Sequence, residues 1–243
     1  MPMNFIRFPF AAMLVLALSA CDSSPATNTP ASQSAASAAK VPANEPASAG
    51  EKRVLFFGNS LTAGYGVEPD QAFPALVGQK IDSLGLDYKV INAGLSGETT
   101  AGGRSRVGWV LRQPVDVFVL ELGGNDGLRG LPLTATRRNL QAIIDTVRRR
   151  SPKAQIVLAG MQIPPNLGAT YAADFKALYQ EIAAKNKLVL IPFLLQGVGG
   201  DRRLNQPDGI HPTPAGHRIL ARNVWSVLQP LLQAQVAAPP AGA

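Results

Sequence analysis

The sequence predicts an α/β fold built on a parallel sheet of five strands, and three observations carry that expectation. From Arg53 onward, short apolar runs alternate with stretches whose apolar residues recur at helical spacing, the pattern of repeated βα units. Glycine-rich polar clusters follow those apolar runs directly, where the loops leaving the carboxyl ends of parallel strands carry ligand sites. The composition agrees: 46% hydrophobic and 6% aromatic residues in a chain of 243 suit one globular domain, not a fibrous or disordered chain. Nothing recurs at a fixed period, which argues against a solenoid or propeller.

Taken in order, residues 1–20 open on a basic start with Arg7, run through an apolar stretch over 8–18, and end in the small residues Ser19 and Ala20. That is the pattern of an export signal, and the apolar stretch is shorter than the roughly 20 residues a membrane span requires. Cys21 is the single cysteine, so no intrachain disulfide is available and cysteine chemistry in the folded part is excluded. The run Leu18-Ser19-Ala20-Cys21 resembles the bacterial lipobox. The resemblance implies that the leader is removed and Cys21 acylated, leaving a lipid-anchored, periplasm-facing lipoprotein of the cell envelope. A plain secretory cut near Ala20, or an uncleaved anchor, is the alternative reading.

From there to residue 50 the chain is almost entirely Ala, Ser, Pro, Thr and Asn, without apolar periodicity, and is read as a flexible tether over 21–50. The folded domain is placed at 51–233. Strands are expected at 54–57, 88–91, 115–122, 155–159 and 188–191, with helices near 73–84, 104–112, 134–150 and 171–185. A last helix is expected from Thr213 as N-cap, with Pro214 at its first position, to about Leu228. The Ala- and Pro-rich tail over 234–243 is expected to fray.

The formal charge is +7, and the first fifty residues contribute nothing to it, because Arg7 and Lys40 cancel Asp22 and Glu45. The densest basic patch, Arg148 to Arg150, closes a predicted helix, where cations complement the helix dipole. No aromatic-interleaved basic motif accompanies it, so no nucleic-acid partner is expected.

The chemistry-bearing clusters are Gly58-Asn59-Ser60-Leu61-Thr62-Ala63-Gly64 after the first strand, Asn92-Ala93-Gly94-Leu95-Ser96-Gly97-Glu98 after the second and Gly123-Gly124-Asn125-Asp126 after the third. Asp208-Gly209-Ile210-His211-Pro212 precedes the last helix. Ser60, presented at the mouth of the sheet, is a candidate nucleophile, but a serine hydroxyl needs a base within hydrogen-bond reach and the base needs an orienting acceptor. Of the two histidines, His217 falls inside the last helix and reads as a surface or packing residue. His211 stands three residues after Asp208 in one tight turn. The carboxylate can therefore take one imidazole nitrogen and leave the other for Ser60. Acyl transfer also needs donors for a developing oxyanion, and the candidates are the backbone N–H of Ser60, the N–H of Gly97 and the side-chain amide of Asn125.

Competing motifs fail. Gly58 to Gly64 lacks the Gly-Lys-Ser/Thr ending of a P-loop, Ser60 lacks the second-following glycine of the nucleophile elbow, and no paired-histidine metal spacing occurs.

Gly58-Asn59-Ser60-Leu61, Gly97, Gly123-Gly124-Asn125-Asp126 and Asp208-Gly209-Ile210-His211, in that order, resemble the blocks of the SGNH (GDSL) hydrolases across about residues 53–232. The runs Glu121 to Gly130 and Asp208 to Pro212 resemble the bacterial acyl-thioesterase, arylesterase and lysophospholipase branch of that family. The resemblance implies a three-layer flavodoxin-like α/β/α fold, no cofactor, Ser60 as nucleophile, His211 as base, Asp208 as its orienter, and Gly97 and Asn125 in the oxyanion hole. It also implies a small-molecule acyl ester, thioester or lysophospholipid as substrate. One departure stands out: Asn59 occupies the place of the family's usual Asp.

The loops over 161–170 and 193–206 are expected to shape the acyl pocket, with Leu167, Leu194, Leu195 and Val198 either lining it or covering core. Two further functions fit the same residues: an acetylesterase acting on envelope polysaccharide, and a non-catalytic envelope lipoprotein that only binds. A binding module has no need of Ser60, His211, Asp208 and Asn125 together.

Overall fold

The computed structural model describes residues 52–237; the expected leader, Cys21 and the tether lie outside the described residues, as does the tail beyond 237. The chain order is β1 (Lys52–Gly58), α1 (Ser60–Ala63), α2 (Phe73–Ser83), β2 (Tyr88–Gly94), α3 (Thr100–Val110), β3 (Val117–Glu121), α4 (Gly124–Leu128), α5 (Leu133–Arg150), β4 (Gln155–Ala159), α6 (Ala169–Asn186), β5 (Val189–Ile191) and α7 (Pro214–Ala237).

The five strands form one parallel sheet in the order β2-β1-β3-β4-β5. The chain steps one way from β1 to β2 and the other way ever after. Right-handed crossovers therefore place α2 on one face and α3, α5 and α6 on the opposite one. Contacts agree, α3 packing on α5, α5 on α6, and α7 returning against α2. Helices on both faces explain why β3 is buried along its whole length and β1 from Arg53 on, while the edge strand β2 is mostly half-buried. The order reverses between β1 and β3, and the loops leaving those two strands part to open a crevice. Ser60 follows the first and Asn125 the second.

Three expectations need correction. Asn92, Ala93 and Gly94, expected in a loop, continue β2 in register with Phe56, Phe57 and Gly58; backbone pairing along β1 overrides the poor strand propensity of Asn and Gly. Helix α3 begins at Thr100, with Thr99 as N-cap, rather than at 104. The glycines that read as loop serve packing there, since a Cβ at Gly103 would overlap Leu122. Finally, α7 runs past Leu228 to Ala237, through residues 234–237 of the expected tail. Pro230 lies on its exposed side, whereas Leu220, Val224, Leu228 and Leu232 continue one buried stripe. The last turn is also tied to the sheet, Lys52 Nζ donating to Gln235 O (2.8 Å) and the Tyr88 hydroxyl to Gln235 Oε1 (2.9 Å). The start of α7 is as expected: Pro214 is its first residue, and Thr213 Oγ1 accepts from Gly216 N at 3.3 Å.

Candidate active site

Strand β1 ends at Gly58, Asn59 caps α1 by accepting from Leu61 N (2.9 Å), and Ser60 is the first residue of that helix. Gly58 cannot carry a side chain, because a Cβ would overlap Thr62 Oγ1 and the Glu121 carboxylate. The Ser60 hydroxyl lies 2.8 Å from His211 Nε2, and His211 Nδ1 lies 2.7 Å from Asp208 Oδ2. The other Asp208 oxygen accepts from Ile210 N (2.9 Å) and His211 N (3.0 Å), a turn completed by Gly209 at φ 72°.

These contacts hold the Asp208 carboxyl well below its ordinary value, at about 2; the His211 backbone N–H contributes most, the imidazole next. Facing a carboxylate, Nδ1 carries the ring hydrogen, which leaves the Nε2 lone pair toward Ser60. A hydroxyl, an imidazole and a carboxylate in that sequence can draw a proton off the hydroxyl.

The loop bearing His211 is anchored by residues that no motif in the sequence marks. Gln206 Nε2 donates to Tyr65 O (2.7 Å) and Pro212 O (3.1 Å), Gln206 N donates to His211 O (2.7 Å), and the Tyr65 ring packs 4.6 Å from the imidazole, centroid to centroid. The α1 loop and the last loop are thereby joined beside the reactive pair.

Asn125 lines the same cleft as Ser60 and His211, and its Nδ2 donates to Glu98 O at 2.9 Å. One amide hydrogen is thus fixed on the loop after β2. Gly97, the residue before Glu98, is exposed; its φ of 78°, rather than any close approach, is what favours glycine, since a Cβ there would meet nothing. That loop is held from below by Arg106, which pairs with both carboxylate oxygens of buried Glu98 (2.5 Å each), donates to Ala93 O (2.8 Å), and lies over the Phe57 ring at 4.1 Å. Eight residues apart across a loop, Glu98 and Arg106 present no spacing that sequence could recognise.

Leu128, Met161, Ile163, Phe193, Leu195 and Ile210 supply apolar walls to this cleft of about 450 Å³. Of the four loop residues weighed as pocket or core, Leu195 lines the cleft, Leu194 and Val198 are buried in the core, and Leu167 is exposed outside it. His217 takes the packing role: fully buried in α7, its Nδ1 accepts from Phe73 N at 3.2 Å, and burial pushes its pKa down to about 4. Among the described residues no group of His, Cys, Asp or Glu side chains is arranged to hold a metal ion.

The residue pattern of the GDSL-like Lipase/Acylhydrolase family matches residues 56–219. The Esterase TesA of Pseudomonas aeruginosa is 40% identical over 185 residues, covering 76% of this chain and 91% of that protein. The Thioesterase 1/protease 1/lysophospholipase L1 of Escherichia coli is 36% identical over 180 residues, covering 74% and 84%. A crystal structure of TesA superposes with a TM-score of 0.71 at 40% identity, over 74% of this chain and 99% of that one.

Proposed function

The chain belongs to the GDSL-like lipase and acylhydrolase family and is an ester hydrolase, and from that premise we propose that Ser60, His211 and Asp208 are its catalytic residues. The observation that carries this reading is the unbroken chain of contacts from the Ser60 hydroxyl through His211 to Asp208, at 2.8 and 2.7 Å. Ser60 Oγ attacks the acyl carbonyl as its proton passes to His211 Nε2. Asp208, ionised at any working pH, steadies the imidazolium that forms. The Ser60 and Gly97 N–H groups and the second Asn125 amide hydrogen receive the oxyanion. Collapse expels an alcohol or thiol, which takes the proton back from His211, and water activated by the same imidazole releases the acid.

The apolar walls of the cleft favour a substrate with an aliphatic acyl group, as an ester, a thioester or a lysophospholipid. The relatives' names point the same way, TesA being an esterase and the Escherichia coli protein a thioesterase and lysophospholipase. The test is hydrolysis of chromogenic esters of graded acyl length. We expect rate to rise beyond acetyl, and Ser60→Ala and His211→Ala each to lose about 10⁴-fold or more in kcat. A peak at acetyl would favour the reading as an acetylesterase acting on envelope polysaccharide instead, and undiminished turnover by Ser60→Ala would refute the mechanism.

We also propose that Cys21 is acylated and tethers the domain to the envelope membrane, on the strength of residues 1–50 alone. Mass spectrometry of the mature N-terminus would show a diacyl or triacyl cysteine; an unmodified terminus near Cys21 would show simple secretion.

A further inference from the structure

Beneath the Ser60 loop lies a carboxylate that the mechanism above leaves unused. Glu121 ends β3 opposite Gly58 in the β1–β3 register and is 1% exposed. Three donors converge on it, all from the loop that carries Ser60. Asn59 Nδ2 donates to Oε1 at 2.8 Å, while Asn59 N (3.2 Å) and Thr62 Oγ1 (2.7 Å) both donate to Oε2. With its amide nitrogen held by Glu121, Asn59 must turn its Oδ1 the other way, where it caps Leu61 N and lies 3.5 Å from the Ser60 hydroxyl.

We propose that Asn59 and Glu121 act as a positioning pair that holds the Ser60 loop for reaction and sets the pH range in which it is held; this rests on Ser60 being the attacking group. Three donors and one two-oxygen acceptor are matched only while Glu121 is ionised. A proton on Glu121 removes the charge that strengthens all three bonds and adds a buried O–H donor among donors, so the loop is held less firmly. Burial raises the Glu121 pKa to about 7, although the hydrogen bonds from Thr62 and Asn59 oppose it, and so burial brings the loosening into the working range.

The titratable groups on surrounding elements are few. Tyr179 of α6 donates to Leu122 O and is pushed well above its ordinary value, so it stays neutral; Glu98 with Arg106 lies under the neighbouring loop, Asp126 lies one loop further along, and His211 with Asp208 stands across Ser60.

The residue at 59 decides the sign of the effect. An amide meets the Glu121 carboxylate without a proton between them. An acid in its place would set two carboxyl groups at hydrogen-bond distance, where one proton must be retained for both to fit. The held form would then be the singly protonated pair, and alkali instead of acid would loosen the loop.

The test is kcat and KM on a soluble aryl ester between about pH 5 and 9 for the parent chain, Glu121→Gln, Asn59→Asp and the double variant. Glu121→Gln should lower kcat about tenfold or more with KM within about twofold, the scale of a lost hydrogen bond to a charged group. Asn59→Asp should gain an alkaline fall in kcat that the parent lacks. The double variant should recover most of the lost kcat, because the glutamine amide then donates to the new carboxylate while its oxygen still accepts from residue 59 N and Thr62. Losses that multiply in the double variant, or an Asn59→Asp profile that superimposes on the parent's, would overturn the pair. Should Glu121→Gln not fold, the Asn59→Asp profile decides alone. Ser60→Ala keeps the two ideas apart, since turnover retained there removes Ser60 as the attacking group, whereas the pair stands or falls on the pH profiles.

Discussion

Asn59 and Ser60 are 3% and 8% exposed, closed in by β1, β3 and the first turn of α1, whereas the side chains of Asp208 and His211, which complete the same contact chain, are 38% and 19% exposed. The Ser60 loop is held from beneath by a buried carboxylate at the end of β3 and by three hydrogen bonds to it from Asn59 and Thr62. The His211 loop is held by its own turn, Asp208 accepting from the next two residues but one, and by Gln206 reaching to Tyr65 and Pro212. One half of the site is therefore fixed by the core and the other by local turn geometry. A loop of the second kind rests on few buried contacts and has the lower cost of local opening.

The sharpest way to break this contrast is Asp208→Asn. The remaining carbonyl oxygen still accepts from Ile210 N and His211 N, so the exposed turn survives and stability should change by less than about 0.5 kcal/mol. The amide nitrogen, however, now faces Nδ1 as a donor, which reverses the tautomer and points Nε2–H at the Ser60 hydroxyl. We expect kcat to fall about 10³- to 10⁴-fold with the folded structure intact, measured as ester turnover beside urea unfolding. A loss below about tenfold would mean that the turn alone orients His211 and that the Asp208 charge is not needed.

The same division decides what could be read from the sequence. Ser60, Asp208 and His211 were legible because each sits in a short cluster of polar and glycine residues after an apolar run, and because Asp208 and His211 share one turn. The five strands were legible as apolar runs, and the helices as periodic stretches, except where glycine masks regular structure. Gly102 and Gly103 hid the first turn of α3, and Gly123 and Gly124 hid α4, since a glycine chosen for close packing has the same letter as one chosen for a turn. The last helix, expected to end at about Leu228, runs on through Pro230, and which side of the helix that proline faces is not written in the sequence. Glu121 could have been suspected, as the one charged residue in the buried run 117–121. What it holds could not, because that depends on the register that sets β3 against Gly58. The Glu98–Arg106 pair under the Gly97 loop is likewise a product of tertiary contact.

A subtler contrast separates the supports of the two halves, and it can be measured as stability against pH. The Ser60 loop rests on Glu121, whose pKa is raised from 4.5 to about 7 by burial; the His211 loop leads into α7, anchored by His217, whose pKa is lowered from 6.5 to about 4 by burial and, to a lesser degree, by His211. For His217 the unfolded chain takes up a proton below 6.5 that the folded chain refuses until about 4, so stability falls as pH drops through that window. For Glu121 the folded chain keeps its proton up to about 7 while the unfolded chain releases it near 4.5, so stability present below 4.5 is lost as pH rises toward 7. Each contribution is on the order of 3 kcal/mol and the two have opposite slopes, so they largely cancel between about pH 4.5 and 6.5. Removing either support should uncover the other. Relative to the parent, His217→Gln, which keeps an acceptor for Phe73 N, should become less stable as pH rises across that window, and Glu121→Gln should become more stable. Urea midpoints at several pH values would show the two variants diverging with opposite slopes. Parallel curves would mean that the two buried groups do not set the pH response of the fold, and that the contrast between the halves is confined to their surfaces.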